Sequence, residues 1–219
     1  MKPLSPEILL FASLGIALVP LMIAVGTCYL KFSIVLSLLR SGFGTQQAPS
    51  TAMVMALSLV MSMVVMQPVL SKTAAEMSEM QKIDLTSVTF SILFQRSQKL
   101  LEPWRSFLLQ HSGERELAVF GHFAEENPSE EIKPVDRDKA SIVTAIAAFV
   151  LSEIKKGFTL AFFLLIPFFV IDLIVSNVLV AMGLTMMSPV IISLPLKILL
   201  FVSTDGWLLL AQNLIKAYQ

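Results

Sequence analysis

Charge is scarce in this chain. Of its 219 residues 15% are charged and 55% are hydrophobic, whereas an average soluble protein carries about 25% charged residues. That excludes an ordinary water-facing surface over most of the length and points to a membrane-type composition. Sixteen basic and sixteen acidic residues cancel, so net charge gives no footprint for nucleic acid. Cysteine is nearly absent. Cys28 stands alone, which excludes an intramolecular disulfide and leaves the redox compartment open. Within an apolar run it reads as a small buried hydrophobe. His111 and His122, the only histidines, have no second ligand at a metal-binding spacing. They read as surface or packing residues. No phosphate loop, zinc spacing or Ser/His/Asp arrangement is present. Asp205-Gly206 could belong to a membrane aspartyl protease, but a second aspartate motif is missing. The reading is therefore not an enzyme, with no cofactor and no metal.

The charges that exist are unevenly placed. Residues 71–140 hold 12 of the 16 acids and 9 of the 16 bases. Two apolar halves flank one polar insert, with segments 1–70, 71–140 and 141–219. No charge separates Glu7 from Lys31, enough for a spanning helix of about 20 residues. That run is too long for a signal-peptide core of about 7–15 residues, so it reads as retained. A helix from Ile8 to Leu39 would be about 48 Å long, beyond a hydrocarbon core of about 30 Å. It must tilt, project from the bilayer, or kink near Pro20 or Gly26. Lys31 reads as snorkelling at an interface or facing a subunit contact.

Arg40 to Ser50 forms a polar turn containing Gly42, Gly44, Gln46, Gln47 and Pro49. Residues 51–70 are uncharged, and their methionines spread around a helix as packing filler rather than as a soft-metal site. These two runs make a first helical hairpin. In the insert, Leu100, Leu101, Trp104, Phe107 and Leu108 form one helical stripe. Pro103 is expected to open or interrupt a helix. Asn127-Pro128 and Lys133-Pro134 mark loops, and both ends of the insert emerge on one face. Its acidic bias favours the outside.

The run from Gly157 to Gly183 is broken only by Pro167, which would kink it, and by Asp172. Pro189 and Pro195 each disfavour helix at the preceding residue. The helix through Val180 is therefore expected to break, with another starting near Leu196. Between them lies a Met-rich loop, 182–195. Irregular backbone at membrane depth must be buried in protein or line a watery cavity. The fold class is all-α and integral-membrane type: two helical hairpins around a small helical extracytoplasmic insert.

Glu153, Asp172, Lys197 and Asp205 lie in apolar surroundings, where isolated charges face partners or water. A proton relay and ion pairs between copies both fit. The presence of both signs, without histidine, favours interfaces. Met182, Met186 and Met187 fit packing at a turn or a pore lining.

Three blocks resemble one family. Met187-Ser188-Pro189, Ile192-Ser193, Pro195, Lys197, Leu200-Phe201 and Asp205-Gly206-Trp207 form the first. LLRSGFGTQQAPS, Leu38 to Ser50, is the second. Ser152-Glu153 through Phe158, with Pro167-Phe168 and Ile171-Asp172-Leu173, is the third. Together they are similar to the SctR/YscR/FliP family of type III secretion and flagellar export gates. Thr51 departs from the asparagine that relatives often carry, and Leu184 and Thr185 stand where relatives carry more methionine.

The resemblance implies a pore-forming component of the export gate in the bacterial inner membrane, its assembled complex projecting into the periplasm. Several copies, five by analogy, would wind into a helical pore with SctS-like and SctT-like subunits. An SctU-like switch protein, an SctV-like export ring, the needle-complex base and the inner rod would adjoin it, and unfolded secreted proteins would pass through. Glu153 and Lys197 would pair at subunit contacts. Met182, Met186 and Met187 would form a gasket. Arg40, Gln46, Gln47, Pro49, Asp172, Pro189, Pro195 and Asp205 would shape turns and interfaces. The lack of a cleaved leader favours injectisome over flagellum. The alternative is a small multi-pass secondary transporter or ion channel, for which broken helices bearing charges are equally suited.

Overall fold

Long apolar runs interrupted by Gly and Asp give long helices with abrupt breaks. The computed structural model describes Ser13, Ala17 and residues 20–44, 49–80, 90–124, 136–137 and 140–218. Among these, the regular elements are α1 (Pro20–Gly26), α2 (Tyr29–Gly42), α3 (Thr51–Met80), α4 (Phe90–His111), α5 (Glu114–Ala124), α6 (Ile142–Ala181), α7 (Pro189–Ser203) and α8 (Gly206–Lys216). No strand occurs among the described residues. The chain is all-helical. By length and composition α3 and α6 could each cross a membrane, and α1–α2 and α7–α8 could each serve as one broken span.

The chain forms two units: residues 1–29 with 71–150, and residues 30–70 with 151–219. The polar insert belongs entirely to the first. There, α1 ends at Gly26, and Thr27 manages the break. Its hydroxyl donates to the Ile23 carbonyl at 2.5 Å and accepts from the Tyr29 amide at 3.2 Å, satisfying one of the amide donors that the start of α2 leaves open. The long first helix thus breaks just after Gly26, one of its expected kink sites. Cys28 is buried. The core holds Phe107, Leu108, Leu109, Leu117 and Phe149, with the Phe107 and Phe149 rings 5.8 Å apart. Leu101, placed on the apolar stripe by its spacing, is half exposed, and Leu109 is buried instead. The Arg105 guanidinium donates to the Ala140 carbonyl at 3.0 Å. Pro103 neither opens nor interrupts α4, because neighbouring helical hydrogen bonds and packing tolerate one missing donor.

The second unit comprises α2, α3 as far as Leu70, α6 from Leu151, and α7 with α8. Leu39, Phe43, Phe168 and Phe201 form its centre, with Leu164, Leu165, Leu194, Leu200 and Leu210 packed around them. Phe43 lies 4.9 Å from Phe168 and 5.4 Å, edge-on, from Phe201, geometries that the ring quadrupoles favour. On α7 the buried residues are Ser193, Lys197 and Phe201, four apart and therefore on one face. The last apolar run is not one helix. It bends by 62° between α7 and α8, where Asp205 adopts a left-handed conformation with φ 52° and ψ 42°. Asp tolerates that region better than most side chains. Gly206 follows because a Cβ there would lie 2.5 Å from the Phe201 ring. The outward face of α6 carries exposed Phe162, Phe163, Phe169, Leu173 and Ile174, the kind of surface that lipid or another chain covers.

Candidate functional site

The methionine turn is built by the end of α6. The Leu184 amide donates to the Leu179 carbonyl at 2.9 Å and the Gly183 amide to Val180 at 3.0 Å. This is a Schellman closure, with Gly183 at φ 73° in the left-handed position that such a closure requires. The turn ends where α7 begins, at Pro189. The irregular stretch is thus 182–188, shorter than the 182–195 expected from the two prolines, and helix resumes at Pro189 rather than near Leu196. Pro189 occupies the first helical turn, where its missing N–H is not needed. Pro195 lies inside α7 and removes one backbone donor without ending the helix. Met182 and Met187 are exposed, and Met186 is fully so at 100%.

Beneath this turn lies a polar cluster. Lys197, 1% exposed, donates to Asp172 Oδ2 at 2.7 Å and to the Gly42 carbonyl at 2.9 Å. The Ser193 hydroxyl donates to Asp172 Oδ1. Gly42 is the last residue of α2, so the ammonium also meets the negative end of that helix's dipole. Three helices, α2, α6 and α7, converge on one ion pair.

A second cluster lies where α2, α6 and the C-terminal tail meet. Lys31 Nζ is 3.4 Å from Glu153 Oε2, with side chains 1% and 0% exposed. Lys156 Nζ is 3.7 Å from Oε1. Tyr218 donates its hydroxyl to Oε2. The Lys31 ammonium also stands 3.8 Å from the centre of the Tyr218 ring, within cation–π range, and Phe32 meets that ring edge-on at 5.8 Å. Lys31 therefore does not snorkel. It is enclosed because its counter-ion is only one helix away. Within the chain Glu153 and Lys197, paired between copies by resemblance, have separate partners. Sequence reasoning missed Tyr218, whose only signal was an aromatic ring in a polar tail.

The polar turn after α2 is bridged by Arg40, whose guanidinium donates to Thr51 Oγ1 at 2.8 Å. Thr51, although a departure from the family's usual asparagine, still supplies an acceptor. The Ser50 hydroxyl accepts the Met53 amide at 3.3 Å and caps α3. Pro49 shares a small apolar cavity of about 50 Å³ with Leu36, Met53, Val54, Leu57 and Trp207. Gln46 and Gln47 lie outside the described residues. Asp205 is exposed and makes no side-chain cap to α8.

Residues 13–214 match the FliP family. The chain belongs to that family. It is 41% identical to the surface presentation of antigens protein SpaP of Salmonella typhi, over 92% of this chain and 91% of that one. It is 36% identical to the Yop proteins translocation protein R of Yersinia pestis, over 93% and 92% of the two chains. It is 34% identical to the flagellar biosynthetic protein FliP of Bacillus subtilis, over 88% and 82%. In this FliP-family chain all three resembling blocks fall in the second unit. Leu38–Ser50 meets the 187–207 block through Gly42 and Lys197, and through Pro49 and Trp207. The 152–183 block contributes Asp172 to the same ion pair.

Proposed function

We propose that this chain is a core component of a type III export gate, lining a pore through which unfolded proteins cross the bacterial inner membrane. The observation that carries the reading is the match of residues 13–214 to the FliP family, together with the similarity to relatives named for Yop protein translocation and flagellar biosynthesis. Long apolar helices support a membrane location. The exposed apolar face of α6 supports assembly, because one chain alone leaves it uncovered. Beside it an open groove of about 500 Å³, lined by Leu160, Phe163, Leu164, Pro167, Leu209 and Asn213 among others, offers further apolar surface to a neighbouring helix.

In this reading five copies wind together with SctS-like and SctT-like subunits, next to an SctU-like switch protein, an SctV-like ring, the needle-complex base and the inner rod. The insert 71–140 faces the periplasm between apolar segments 1–70 and 141–219. Met182, Met186 and Met187 of several copies converge as a gasket, since thioethers are polarisable and adapt to irregular contacts. Their exposure in the single chain supports this. The chain itself performs no catalysis. Glu153 and Lys197 meet across copies only if assembly opens their pairs within the chain.

Native mass spectrometry of the detergent-extracted protein, produced with its SctS-like and SctT-like partners, tests this function. A defined multimer containing both partners is expected. A stable monomer or dimer lacking them, despite co-production, would overturn it.

A further inference from the structure

The 182–188 turn has few side-chain contacts of its own. Nothing lies within 4 Å of where a Gly183 side chain would begin, and Met186 is fully exposed. Its upstream end is tied to α6 by backbone hydrogen bonds. At its downstream end Ser188 makes no side-chain cap to α7. The start of α7 is held from the side instead. Ser193 donates to Asp172 on α6, and Lys197 grips the same carboxylate. Val190, in the first turn of α7, rests on Gly44, where an added Cβ would lie 2.4 Å from Val190 Cγ1. Gly44 has φ 79°, a conformation that a side chain would also strain.

We infer that Asp172, Ser193 and Gly44 are positioning residues for the methionine turn, bracing α7 against α6 and against the polar turn after α2. A segment between two helices keeps its place when the helices are cross-linked close to it. Asp172 stands ten residues before the turn and Ser193 five residues after it, so their bond closes a short clamp around it. Gly44 couples the same clamp to the 40–50 turn. The inference rests on the turn being the gasket, but its first test does not use transport.

Hydrogen–deuterium exchange of the full chain, in detergent and again with its partner subunits, is the measurement. Ser193→Ala is expected to speed exchange in the 182–188 peptide about tenfold, as local opening does. The 206–216 peptide should stay unchanged, and Ser193→Thr, which keeps the hydroxyl, should restore the slow rate. Gly44→Ala touches no ion pair and should have the same local effect. It carries the test if Ser193→Ala does not accumulate. Unchanged exchange at 182–188, or equal acceleration at 206–216, would overturn the assignment. Ion leakage separates the two ideas. Local loosening with no leak from gates carrying Met186→Ala and Met187→Ala would keep the brace and remove the gasket.

Discussion

Lys31 on α2 and Glu153 on α6 form an enclosed ion pair at 3.4 Å, with side chains 1% and 0% exposed. The lysine also faces the Tyr218 ring, whose hydroxyl reaches the same carboxylate. The end of the chain thus completes the surroundings of a charge more than sixty residues earlier.

Removing one member leaves the other charge buried. Glu153→Gln or Lys31→Met should each destabilise the protein by about 3–5 kcal/mol, read from denaturant unfolding in mixed micelles. The swap Lys31→Glu with Glu153→Lys should recover part of that loss in the isolated chain, whereas Lys197→Glu should not rescue Glu153→Lys. Rescue by Lys197→Glu seen only in the multimer would place that pair between copies.

Tyr218→Phe keeps the ring and removes one donor to a buried carboxylate. The expected loss is about 1–3 kcal/mol. Ending the chain at Ala217 should cost more, because Lys31 and Phe32 then lose the ring as well. Equal melting temperatures for the wild-type and shortened chains would show that the tail is not part of this core.

Gly206→Ala should collide with Phe201, whose ring lies 2.5 Å from the new Cβ. The ring is hemmed in by Phe43, Phe168 and Trp207, so overpacking should cost about 1–3 kcal/mol. Combining it with Phe201→Leu should cost less than the two single changes added together. Strict additivity in the same unfolding measurement would argue against the contact.

Asp205 takes φ 52° with no side-chain cap to α8. Asp205→Gly should therefore be tolerated or slightly stabilising, while Asp205→Val should lose about 1–2 kcal/mol. If the two variants melt alike, the left-handed bend is not needed in solution.

Shortening the exposed thioethers tests the gasket directly. Gates carrying Met186→Ala and Met187→Ala should assemble normally and leak small ions, read as dye or conductance loss across membranes containing the complex. Ion tightness equal to wild type would remove these two residues from the seal.

Much of the helical layout was legible because apolar runs of membrane length leave few alternatives. The break beyond Gly26, the end of α2 just after Arg40 and the loss of helix after Val180 all carry local signals. The prolines misled where packing outweighed local preference. Pro103 and Pro195 sit inside helices, since one missing amide donor costs less than abandoning a helix whose other bonds and contacts remain. Leu101 and Leu109 exchanged roles for a related reason: spacing defines a stripe, but the neighbours decide where it ends.

By itself the sequence determined the all-helical membrane character, the polar insert, and membership of a family whose motif residues keep their order. Those properties are local, or are carried by residue identity. Partner choice among the charges was decided only in three dimensions. Lys31, Glu153, Asp172, Lys197 and Tyr218 are scattered from residue 31 to residue 218, and nothing in their spacing says which will meet. Helix packing brings Lys31 to Glu153 and Lys197 to Asp172. Once water is excluded, each ammonium is held by the carboxylate that the neighbouring helix delivers, because an unpaired charge at that depth is too costly to keep.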